Sequence, residues 1–169
     1  SLNSNHINLS GILISKKISK SGMSVIFVSG HLGNFELMAM EIEKKGVNLA
    51  TIYRPLNNQF LNKIMEKIRT NYICRKQIKK GRSGIRDIIE NVRNGSSVAL
   101  MIDQRVTEGS KIDFFGKPAT TTTIPAQLIK KYGCELALGQ AGWHSPQGDN
   151  EQDMIKMARE ANALMGTSI

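Results

Sequence analysis

The sequence predicts an α/β fold, a mainly parallel sheet flanked by helices. Three observations point there. Short apolar runs alternate with helical repeats through residues 23–139, the connections between them are short, and glycine or proline marks most boundaries. A chain of 169 residues is long enough for one domain with a buried core, and 40% hydrophobic with 22% charged residues is globular rather than disordered composition.

The elements follow in order. Residues 23–29 (MSVIFVS) form a short, β-branched apolar run, read as a buried strand. A turn bracketed by Gly30 and Gly33 leads to a helix with apolar positions at Phe35, Leu37, Met38, Met40 and Ile42. Lys44 and Lys45 complement the negative end of its dipole, and Gly46 suits a left-handed cap. Residues 47–53 read as a second strand, closed by Arg54-Pro55 because proline cannot continue a ladder. Leu56, Phe60, Leu61, Ile64, Met65 and Ile68 recur at helical spacing, so an amphipathic helix runs to about Tyr72.

Residues 75–82 read as a basic loop. Ile85, Ile88, Ile89 and Val92 mark a third helix ended by Asn94-Gly95, and residues 98–102 a third strand that delivers Asp103 at its carboxyl end. A polar loop leads to Phe114-Phe115-Gly116. The four threonines at 120–123 open a helix that ends at Gly133, with Pro125 in its first turn, and residues 134–138 form a fourth strand. Residues 1–22 are a lead-in, 23–139 the core, and 140–169 an atypical tail: a loop over 143–150, then an amphipathic helix over 151–165.

The charge narrows the partners. Residues 140–169 hold two basic and four acidic residues, a balance of −2, so the first 139 carry +11 of the net +9. Such a body suits an anionic partner: nucleic acid, anionic lipid, a phosphorylated substrate or an acidic carrier protein. Aromatics are only 5%, without a basic–aromatic stacking pattern, which argues against a single-strand binder. No run approaches the ~18 apolar residues that span a bilayer. Cys74 and Cys134 match no metal or redox spacing, which fits free thiols in a reducing compartment.

The chemistry concentrates in Ser29-Gly30-His31-Leu32-Gly33-Asn34-Phe35-Glu36. A histidine between glycines, directly after a buried strand, lies where parallel sheets gather functional groups. Glu36 is five residues on, about 140° away on a continuous helix. With His31 in the turn before that helix, the Glu36 carboxylate can reach back to one ring nitrogen, fix the tautomer and leave the other to take a proton from an alcohol. No protein nucleophile is needed, and Gly33 and Asn34 offer backbone amides to a developing oxyanion. The alternative is a helix-capping turn with a surface histidine. A zinc site has no HExxH to stand on, and His6 and His144 lie in weakly patterned ends. No nucleophile elbow or phosphate loop is present. Arg54 after a strand and Arg69 on the following helix can grip phosphate through their planar forks; for Arg69 the alternative is a solvated cationic face. Asp103-Gln104 can position substrate, hold Arg69 or cap the strand end. Phe114-Phe115 can plug the core or wall an acyl chain.

In their order these segments resemble the bacterial lipid A biosynthesis acyltransferases, the lauroyl/myristoyl transferase family. The resemblance rests on His31-Leu32-Gly33-Asn34-Phe35-Glu36, Tyr53-Arg54-Pro55, Arg69, Asp103-Gln104, Phe114-Phe115-Gly116 and Thr120, with Arg82, Gly84 and Gly95 at family-like positions. It implies a fold and His–acid dyad similar to glycerolipid acyltransferases. It also implies an acyl donor on acyl carrier protein or coenzyme A, a lipid A precursor as acceptor, no cofactor, no metal and no nucleic acid. The site would lie at the cytoplasmic face of the inner membrane, its +11 body facing an acidic carrier and anionic lipid. The resemblance assigns His31 as general base, Glu36 as its orienter, and Arg69, Asp103 and Arg54 to substrate. Only 30 residues precede His31, fewer than such enzymes carry with their membrane anchor, and the tail does not follow the pattern. The chain is therefore expected to be a fragment, incomplete at both ends. The rival expectations are another phospholipid or glycolipid acceptor, or an inactive module that binds lipid by charge.

Overall fold

A computed structural model describes residues 22–31, 34–104, 106–107, 109–114 and 116–139, leaving aside the Arg82 side chain. Leu32, Gly33, Phe115, the lead-in through residue 21 and the whole 140–169 tail lie outside the described residues. The elements run β1 (Val25–Ser29), α1 (Phe35–Lys44), β2 (Leu49–Tyr53), α2 (Gln59–Tyr72), β3 (Lys76–Lys79), α3 (Arg82–Arg93), β4 (Ser97–Met101), β5 (Ser110–Phe114), β6 (Lys117–Thr121), α4 (Ile124–Tyr132) and β7 (Glu135–Leu138). Five strands form one sheet in the order β3-β2-β4-β1-β7, every pair parallel. The predicted α/β class and its parallel sheet are what the chain adopts.

The sheet is covered on both faces, and the strands show why. In β1, Ile26 and Val28 enter a core with Val98 and Leu100 of β4, Ile88 and Val92 of α3 and Leu128 of α4. Val25 and Phe27, the alternate residues, pack with Ala39 of α1, Leu49, Cys74 and Ala99. Burial on both faces produces the continuous apolar run read in the sequence. Helix caps behave as expected: Gly133 takes φ +66 after α4, and Gly46 takes φ +83 after α1.

Two segments read as loops are strands. Residues 75–82 contain β3, which pairs with β2 from Ala50↔Lys76 to Tyr53↔Lys79. Only Ile78 of its four residues is buried, so its single apolar residue carries no visible alternation, and lysines are what an edge strand exposes. The stretch before Phe114 is β5, which forms an antiparallel hairpin with β6. Its turn uses Gly116 at φ +72, a conformation that costs glycine little. Thr120 and Thr121 therefore belong to β6, and α4 begins only at Ile124, with Pro125 in its first turn. No described helix is long and apolar enough to cross a membrane.

Candidate active site

The register of the two neighbouring central strands builds the site. Ser29 of β1 pairs with Met101 of β4, and the Ile102 amide donates to the Ser29 carbonyl at 2.9 Å. Two residues past that pair, on the same edge, stand His31 and Asp103. The Asp103 carboxylate meets His31 twice: Oδ2 accepts from the backbone amide at 2.6 Å, and Oδ1 lies 2.8 Å from ring Nδ1. Gly30 makes the approach possible, since a Cβ there would come within 3.3 Å of Asp103 Oδ2. The ring also meets Phe35 edge-on, with centroids 5.1 Å apart.

The other ring nitrogen is oriented in turn. Lys80, just beyond the carboxyl end of β3, donates from Nζ to Gln104 Oε1 at 2.6 Å. Ammonium can only donate, so it fixes which end of the Gln104 amide is the acceptor, and the amide nitrogen faces His31 Nε2 at 3.2 Å. In the neutral ring, Nε2 must then accept, and Nδ1 carries the hydrogen donated to Asp103. That is the tautomer of a general base with its lone pair on Nε2. Burial pushes the Asp103 carboxyl up, but the His31 amide and ring outweigh it and hold the group below its ordinary value.

Glu36 has a different partner. Asn34 caps α1 by accepting from the Leu37 amide at 3.0 Å, and Glu36 stands in that first turn, where its negative charge also suits the helix dipole. Its carboxylate accepts from Arg69 Nε at 2.9 Å. The expected reach from Glu36 back to the His31 ring is therefore not the contact the structure forms, nor does Asp103 hold Arg69. The partners are exchanged: Asp103 orients His31, and Glu36 holds Arg69. The cause is strand order, because β4 lies directly beside β1 while α2 faces the first turn of α1.

Arg69 is braced further. Its guanidinium lies 5.7 Å from the Tyr53 ring centroid. The Tyr53 hydroxyl donates to Glu66, which also accepts from Asn62 at 2.7 Å and pairs with Lys79 at 3.3 Å. Burial and the Glu66 carboxylate push the Tyr53 hydroxyl up; the bonds from Tyr53 and Asn62 hold Glu66 down. Arg54 follows β2, is exposed and enters neither pair. Sequence reasoning missed Lys80 and Gln104 as partners of the ring. Lys80 was hidden by reading 75–82 as a loop; a strand there would have put it at the carboxyl edge.

Neither cysteine competes as nucleophile. Cys74 is buried, its thiol pushed up to about 11 by burial first and by Glu43 second, and burial also raises Cys134. Among the described residues no three metal-ligating side chains gather.

Fold and site define a parallel α/β protein with a histidine–carboxylate pair at the carboxyl edge of its central strands. The particular family follows from comparison: the model of the bacterial lipid A biosynthesis acyltransferases matches residues 5–148, and the chain belongs to that family of acyltransferases. The match passes both bounds of the 23–139 core. A search of the curated proteins returns no match.

Proposed function

We propose that the site moves a fatty acyl group from a thioester, on acyl carrier protein or coenzyme A, to a hydroxyl of a phosphorylated lipid A precursor, at the cytoplasmic face of the inner membrane. One observation carries this reading: Asp103 and Gln104 orient the His31 ring from both sides, leaving the Nε2 lone pair toward a donor. A hydroxyl that displaces the Gln104 amide meets that lone pair. His31 Nε2 takes its proton as the oxygen attacks the thioester carbonyl. The tetrahedral adduct then collapses, the carbon–sulfur bond breaks, and the leaving thiolate takes the proton back from the imidazolium. Asp103, its charge kept by the His31 bonds, stabilises that imidazolium. Arg69 commits Nε to Glu36, and phosphate binding falls to its terminal nitrogens.

The test measures acyl transfer to acceptors in detergent, with and without sugar phosphates, from both donors. Transfer should require His31 and fall when the acceptor loses its phosphate. Equal rates on both acceptors would remove the lipid A precursor from the reading, and undiminished turnover in His31→Ala would remove the mechanism.

A further inference from the structure

Helix α2 faces the wrong way for a helix on a sheet. Its half-buried positions Asn62, Met65, Glu66 and Arg69 recur every three or four residues and are mostly polar. None of its residues is fully buried. Its large apolar side chains stand outside: Phe60 is 72% exposed and Tyr72 71%, with Leu61, Ile64 and Ile68 between them. At 100° per residue these five fill one arc of about 120°, and the exposed Lys63 and Lys67 border it. An ordinary surface helix turns such a stripe inward, and a continuous exposed one marks an interface.

We propose that this outward face of α2 lies on an anionic lipid surface, with Phe60, Ile64 and Ile68 in the boundary of headgroups and chains and Lys63 and Lys67 against lipid phosphate. An apolar stripe edged by lysine is the signature of an interfacial helix. The net charge of +9 complements an anionic leaflet. A second copy of this chain fits less well, because an antiparallel two-fold pairing on this face would bring the Lys63 and Lys67 pairs of both copies to the same flank. The surface rests on the geometry of α2. It deepens the functional reading because Arg69 projects from the other side of the same helix, so the site would open beside the lipid phase that holds the acceptor.

Flotation of the full chain with phosphatidylglycerol-containing and purely phosphatidylcholine vesicles tests this. The chain should float with the first and far less with the second. Replacing Phe60, Ile64 and Ile68 by Ser should lower binding at least about tenfold. Lys63→Gln and Lys67→Gln should each lower it about fivefold at low salt. Thermal unfolding should hardly move, since these side chains are already exposed. The proposal falls if the wild type does not float, if the triple variant floats as well as wild type, or if the same substitutions instead turn a dimer into a monomer by light scattering. It also falls if they abolish binding to an acidic protein and leave flotation intact. Transfer to a detergent-dispersed acceptor separates the two readings: the triple variant should keep it. If no variant or wild type shows transfer while flotation behaves as described, only the acyl-transfer reading fails.

Discussion

The site contains two charge-assisted pairs that are held by different parts of the fold. His31 and Asp103 stand at the ends of hydrogen-bonded neighbours in the sheet, and one of their two contacts is a backbone amide at 2.6 Å. Glu36 and Arg69 stand on two helices and share a single Nε contact at 2.9 Å. The sheet places the first pair by register and the His31 amide is tied to Asp103, so turning the ring breaks its contacts with Asp103 and Gln104. The second pair depends on how α2 sits, and α2 buries no residue fully. Proton transfer needs fixed direction, whereas gripping a phosphate tolerates a guanidinium that adjusts. Under the proposed mechanism the division sets a base placed by the sheet beside an anion clamp that can adjust.

The largest expected effect is on the sheet-held pair. His31→Ala should lower kcat by at least ~10², the range for a lost general base. Asp103→Asn should lower it by ~10-fold or more by releasing the tautomer. A double-mutant cycle on His31 and Asp103 should be strongly non-additive, while Asp103 with Glu36 should add to within about 0.5 kcal/mol. Strong coupling in that second cycle would unite the two pairs and end the division.

Arg69→Lys should act next, raising KM for a phosphorylated acceptor about tenfold with kcat less altered, because lysine keeps the charge and loses the fork. Steady-state kinetics on acceptors with and without phosphate check this. Glu36→Gln should move KM in the same direction by less. A kcat effect equal to that of His31→Ala would put Glu36 back beside the base.

The two regions also differ in how well the sequence showed them. Burial of β1 and β4 on both faces appears as apolar runs, so the sheet, its direction and the position of His31 could be read directly. Asp103 could be placed at a strand end, but its partner could not. That depends on β4 lying next to β1, although 72 residues separate His31 from Asp103. Local spacing therefore favoured Glu36, the nearest acid. In β3, the lysine-rich edge composition that limits aggregation also removed the period-two signal and hid Lys80. The helical period of α2 was plain, but periodicity alone does not say which face meets the sheet.

The smallest expected effect is on stability at acid pH, and it tests whether Asp103 is charged where the geometry needs it. Its folded carboxyl lies below the ordinary 3.8 because the His31 amide and ring favour the anion more than burial opposes it. A depressed folded value means that the unfolded chain binds the proton first. The contribution is therefore fully present above the unfolded value and is lost as pH falls through the lower folded one. Urea unfolding of wild type and Asp103→Asn between pH 7 and pH 3 measures this. The stability gap should stay level down to about pH 4 and narrow below it. Glu66 is also depressed, by Tyr53 and Asn62, but it is present in both proteins and cancels from the difference. A gap that widens toward low pH would mean that Asp103 carries its proton in the folded chain, and the base on His31 would then have lost its anionic support.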